Sequence, residues 1–172
     1  MRIKELFNDK SLKPKEKTEV LFKWVLDGSL PIEELLAFAE NEKDSTKATC
    51  IEAIEYVTKQ NPKVADETLL NFVTTALTSK APRVKWESAK VIGNIAPLFT
   101  SNLQQAIDNL LINTNHEGTV VRWSSAFALG EILKMKTTYN ETLLSTIKSI
   151  CEKEEKNSIR KIYIEAIKKL HN

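Results

Sequence analysis

Apolar positions along this chain recur three and four residues apart, the spacing that lines one face of an α-helix. Leu69, Leu70, Phe72, Val73, Ala76 and Leu77 make one stripe, and Leu103, Ala106, Ile107, Leu110 and Leu111 make another. Leu143, Leu144, Ile147, Ile150 and Cys151 follow, with Ile32, Leu35, Leu36 and Ala39 forming a shorter one. Punctuation agrees. Pro14, Pro31 and Pro82 suit first turns, where a missing N–H costs little. Ser101-x-x-Gln104 and Thr138-x-x-Glu141 read as capping boxes, and Gly28-Ser29 and Gln60-Asn61-Pro62 as turns. The pattern predicts helices near 3–8, 14–27, 31–41, 45–60, 65–79, 82–98, 101–113, 118–135, 139–154 and 157–170.

The chain also repeats itself. Pro82 to Ile95 aligns without gaps on Thr119 to Ile132 at an offset of 37, and Val, Trp, Ser, Ala, Gly and Ile coincide. Lys85 stands opposite Arg122. A shift of 38 backward puts Lys47 in the same basic column, and a shift of 38 forward puts Arg160 there. An irregular earlier copy places Lys17 in the column, followed by Val20, Leu21 and Trp24 in core positions. Helical hairpins repeated at this period bury their apolar faces against one another, which makes a solenoid. The expected fold is all-α: one domain over 1–172, with about four to five hairpins stacked as a right-handed α-α superhelix. The second helices of these hairpins fall near 14–27, 45–60, 82–98, 118–135 and 157–170.

Val121-Arg122-Trp123-Ser124-Ser125-Ala126-Phe127-Ala128-Leu129-Gly130-Glu131-Ile132 resembles the second helix of a HEAT repeat, particularly the short bacterial kind related to bilin-lyase repeats. Val84 to Ile95 is similar, and the resemblance covers nearly the whole chain. It implies a HEAT-like stack with the second helices on a concave side. It also implies a ladder in which an Asp in the turn before the motif pairs with the basic residue. This sequence departs from that ladder. Only Asp44 sits at the equivalent place, and Glu117 is the one other carboxylate candidate.

Each residue advances a helix by about 100°, so positions +1, +2, +5 and +9 from the basic residue fall opposite the apolar stripe. In four copies these read Ala48, Thr49, Glu52, Tyr56; Trp86, Glu87, Lys90, Asn94; Trp123, Ser124, Phe127, Glu131; and Lys161, Ile162, Glu165, Lys169. Four of these 16 are aromatic against 7% of the whole chain, so the face is enriched in residues that carry binding energy. Tyr56, Trp86, Glu87, Lys90, Trp123, Phe127 and Glu131 are the candidate groove residues. A packing reading competes for Trp86 and Trp123, because a +1 side chain can lie over the seam between successive helices. The basic column of Lys47, Lys85, Arg122 and Arg160 has two readings as well. It can satisfy turn carbonyls and carboxylates, or it can line a groove edge and meet phosphates or an acidic peptide.

Charge and composition narrow the choice. Twenty-five basic against 23 acidic residues leave +2, which by itself implies neither nucleic acid nor membrane lipid. The last third is mildly basic, with 10 basic and 6 acidic residues over 121–172. Cys50 and Cys151 lie far apart and His116 and His171 are the only histidines, so no zinc site can be drawn. Two buried thiols suit a reducing cytoplasm, and the first residues carry no apolar leader or cleavage site. No apolar run approaches a membrane span. His116 reads as a loop residue, and no nucleophile elbow, phosphate loop, HExxH or dinucleotide fingerprint occurs.

The expected function is a non-catalytic interaction scaffold, without cofactor or metal, whose aromatic-lined concave groove holds a protein or peptide. The alternative is a nucleic-acid-binding protein related to the HEAT-like DNA alkylation repair glycosylases. Those resemble this chain in setting Trp, Arg or Lys and a carboxylate on the concave face, although no Asp stands in the arc here. The last helix, with Ile159, Ile162, Tyr163, Ile164 and Ile167, is more apolar than a solvent cap requires. It admits a weak homodimer as well as a monomer.

Overall fold

The computed structural model describes residues 2–172 and contains, among them, helices and turns but no strand. Ten α-helices follow in order: α1 Arg2–Asn8, α2 Pro14–Leu26, α3 Ile32–Glu40, α4 Asp44–Gln60, α5 Glu67–Ala76, α6 Pro82–Ile95, α7 Gln104–Asn113, α8 Thr119–Lys134, α9 Asn140–Lys153 and α10 Asn157–Leu170. Short 3₁₀ turns follow α4 at Pro62–Val64 and α6 at Ala96–Leu98. The ten pair into five hairpins. The second helices pack in series, α2 on α4, α4 on α6, α6 on α8 and α8 on α10. First helices pack more thinly, α3 on α5 and α5 on α7. One continuous apolar core runs between the two layers from Ile3 to Ala166.

Helix ends show where local sequence and tertiary contact each decide. Pro14 and Pro82 open α2 and α6, as expected of residues without an N–H, and Pro31 stands one place before α3. Two predicted capping boxes do not form. The α7 helix begins at Gln104, and the backbone N–H of Leu103 donates instead to the hydroxyl of Tyr139, 2.9 Å away in the next hairpin. Before α9, Thr138 offers only its backbone carbonyl, to the N–H of Glu141. Side-chain caps occur elsewhere. Asp66 accepts from the N–H of Leu69 at 2.9 Å, and Glu16 from the N–H of Lys13 at 2.6 Å.

Gly28, at φ +78°, makes the left-handed turn between the first two hairpins. Both cysteines are free and buried, and desolvation pushes the Cys50 thiol up to about 12. Among the described residues no helix is long and apolar enough to cross a membrane.

Candidate functional site

The face of the second helices turned away from the first helices carries the residues singled out by position. Exposure along it is not uniform. The +2 column is closed in α4, α6 and α8, where Thr49, Glu87 and Ser124 are buried, while Ile162 of α10 is half-buried. The α4, α6 and α8 helices are each flanked by another second helix on both sides, so this column faces a seam there rather than solvent. Columns +5 and +9 stay half-buried at Glu52, Tyr56, Lys90, Asn94, Phe127 and Glu131. Trp86 is half-buried and Trp123 is 40% exposed.

Aromatic contacts build two surface groups. Trp123 and Phe127, one turn apart on α8, stack with centroids 6.0 Å apart and planes at 10°. The edge of Phe127 lies directly on the backbone of Gly93 in α6, where a Cβ would come within 2.4 Å of the ring. Further along, Phe22 of α2 meets Tyr56 of α4 edge to face at 6.1 Å. Phe7, Phe22, Trp24, Phe38, Phe72 and Tyr139 pack against the core while remaining partly exposed. Tyr56, Trp86 and Phe127 are half-buried on the second-helix face, where Phe127 fills the notch at Gly93. Trp24 also carries the Arg2 guanidinium 3.6 Å over its ring.

Polar groups between the rings are largely paired within the chain. Glu52 accepts from Tyr56 at 3.0 Å, from Arg83 at 2.5 Å and from Thr18 at 3.2 Å, which ties α2, α4 and α6 together. Arg83 and Thr18 lie outside the predicted columns, and their part was not visible in the sequence. Glu87 accepts from the indole N–H of Trp86 at 3.0 Å, with the Lys90 ammonium 3.3 Å from its other oxygen, Oε2. Burial raises the Glu87 carboxyl, against the lowering pull of Lys90. Burial and the Glu52 carboxylate together push the Tyr56 phenol up to about 12. Glu131 pairs with Lys134. Asn94 donates to the Glu55 carbonyl and the Thr58 hydroxyl, both 3.2 Å away, and thereby ties α6 to α4.

The basic column divides. Lys85 donates to the Leu77 carbonyl at 3.0 Å in its own hairpin and to Asn113 at 2.9 Å in the next. Desolvation lowers its ammonium. Arg122 donates to the carbonyls of His116 and Glu117, both at 3.0 Å, and to Glu154 in the next hairpin at 3.1 Å. Glu117 thus contributes its backbone. The buried carboxylate is Glu154, a residue that position in the repeat did not single out. Lys47 and Arg160 have no side-chain partner among the described residues; Arg160 is exposed and Lys47 half-buried. His116 accepts from the N–H of Gly118 at 2.8 Å and shapes the loop before α8. Among the described residues no group of three His, Cys, Asp or Glu could hold a metal ion.

No protein-family model matches the chain, and no curated protein matches it. Solved structures do. A designed armadillo repeat protein, in complex with the peptide (KR)4, superposes with TM-score 0.74 at 13% identity, over 98% of this chain and 80% of that one. The fold is that of a helical-repeat solenoid. The complex of CpcE and CpcF of phycocyanin lyase from Nostoc sp. PCC7120 matches at TM-score 0.69 and 16% identity, over 95% and 94% of the two chains. An engineered protein matches at 0.60 and 12%, over 99% and 95%. At these identities the likeness is one of fold.

Proposed function

We propose that this solenoid is a non-catalytic interaction module and that the outer face of its second helices holds a segment of another protein. The observation that carries the reading is the Trp123–Phe127 stack. Trp123 is 40% exposed, Phe127 beside it is half-buried, and Gly93 leaves a bare backbone beneath the Phe127 ring. Large rings held rigid on a surface contribute much contact area at little cost in side-chain entropy. Glu87–Lys90 and Glu131–Lys134 give the stack a polar surround already neutralised within the chain. Such a surround favours a partner segment with an apolar anchor over a strongly charged polymer. Two of the structural neighbours are themselves complexes, one with a peptide and one between two proteins.

The test compares capture of binding proteins by wild type and by the Trp123→Ala, Phe127→Ala double variant. Loss of capture with helicity and cooperative melting retained is expected, since truncating a central aromatic anchor typically costs about 2 kcal/mol or more of binding. Equal capture by both forms would overturn the reading. Salt-dependent binding of a DNA duplex that vanishes in the double variant would replace it with the nucleic-acid reading.

A further inference from the structure

Lys85 and Arg122 each reach an acceptor in the following hairpin, and the rule that places those acceptors exposes an exception. Asn113 lies nine residues before Arg122, and Glu154 lies six before Arg160. In the hairpin that follows Lys47, the residues nine and six before Lys85 are Ala76 and Ser79. A methyl group cannot accept a hydrogen bond. The Ser79 hydroxyl accepts from the N–H of Ala81 at 3.1 Å and makes no hydrogen bond to Lys47. Lys47 therefore stands half-buried with neither a turn carbonyl nor a cross-hairpin partner. Beside it the short side chains leave a cavity of about 730 Å³ between α3 and α5, lined by Lys47, Ala76 and Ser79 among others.

We propose that this cavity is a binding site for a small amphipathic molecule bearing a single carboxylate. Its volume lies within the usual range for small-molecule sites. Ala37, Phe72 and Ala76 supply apolar wall for the body of the ligand, with Leu36 and Val84 buried beneath them. Lys47 supplies the cation of the lining, in the place where Glu154 sets a carboxylate against Arg122 in the fourth hairpin. The ligand's carboxylate restores the missing member of that column. Glu33 and Glu40 also line the cavity, and neither reaches Lys47 within ion-pair distance. Their charge opposes any anion and opposes a dianion about twice as strongly, so a monocarboxylate paired with Lys47 fits better than a phosphate monoester. The site lies on the first-helix side and is independent of the aromatic stack.

Octanoate, octanamide and octyl phosphate serve as probes, followed by calorimetry and by amide chemical shifts of the labelled full chain. Wild type is expected to bind octanoate about tenfold or more tighter than octanamide, the size of one charge-assisted hydrogen bond, with shifts confined to α3, α5 and the start of α4. Octyl phosphate is expected to bind more weakly than octanoate. Lys47→Met should remove the preference for carboxylate over amide and keep the weak binding of both. Ala76→Asn copies the acceptor found at Asn113, so it should abolish octanoate binding and raise the melting temperature. The inference is overturned if octanoate does not bind at millimolar concentration. It is equally overturned if octanoate and octanamide bind alike in wild type, if Lys47→Met leaves the preference intact, or if the shifts fall on the second-helix face.

Discussion

Glu87 holds a carboxylate almost wholly withdrawn from water, on a face whose other acidic groups stay partly hydrated. Its Oε2 has no aligned hydrogen-bond donor, and the nearby Lys90 ammonium offsets the lost hydration only in part. Burial is the largest influence on this carboxyl and raises it above its ordinary 4.5. The folded chain then binds the proton more tightly than the unfolded chain. The native state is therefore favoured by protonation, and this contribution is lost as pH rises through the raised value. Glu87→Gln keeps an acceptor for Trp86 and removes the charge. Near neutral pH the variant is expected to be at least as stable as wild type in urea denaturation, and the gap should close as pH falls toward 4.5. A variant less stable than wild type at neutral pH would mean that the Lys90 pair outweighs desolvation. From the sequence Glu87 reads as a groove residue, since a helical wheel gives each helix one buried side. In the stack a second helix has neighbours on both flanks, and the +2 column disappears into the seam. That closure depends on three helices at once, so no single stripe announces it.

At the scale of elements, two glycines in one repeat column face the next second helix, and only one of them is needed for the approach. Gly93 of α6 takes the ring of Phe127, whereas the place of a Cβ on Gly130 of α8 lies 3.4 Å from the Ala166 methyl, an ordinary contact. Alanine at Gly130 is expected to be neutral or to stabilise by up to about 1 kcal/mol through helix propensity. Alanine at Gly93 meets the aromatic ring, and overpacking of that kind typically costs about 1–3 kcal/mol. Thermal melts of the two variants check the pair, and equal shifts would show that Phe127 moves aside freely. The repeat makes the column legible in the sequence, but which glycine carries an aromatic neighbour is not. Helix number and order were legible for the same reason: nine Gly and Pro in 172 residues leave few places to stop. Helix starts were less so. The N–H of Leu103 is capped by Tyr139, 36 residues onward, and local sequence offers Ser101 as a false candidate. The end of α6 came early because Pro97, lacking an N–H, turns Ala96–Leu98 into a 3₁₀ turn.

For the molecule as a whole, stability is distributed along the stack, because each hairpin is held by its neighbours and by little else. The α4, α6 and α8 helices lie between two second helices and bury eight or more residues apiece. The α10 helix packs on α8 alone in that layer and buries only Ile159, Tyr163 and Ala166, leaving Ile164 exposed. The α9 helix buries only Leu143, Ile147 and Cys151. Arg122–Glu154 is the ion pair between this last hairpin and the one before it, beside the Tyr139–Leu103 and Asn140–Leu133 hydrogen bonds. Loss of the ion pair leaves a buried carboxylate without its cation, so the hairpin's docking depends on that pair, two hydrogen bonds and a thin apolar contact. Native-state hydrogen exchange is expected to show α9 and α10 opening below the global unfolding free energy, with α4, α6 and α8 exchanging last. Arg122→Ala should widen that gap by speeding exchange in α9 and α10 while leaving α4 unchanged. Uniform protection across all ten helices, in wild type and variant alike, would mean that the stack unfolds as one cooperative unit. The aromatic stack on α8 would then rest on a rigid body rather than beside a hairpin that opens on its own.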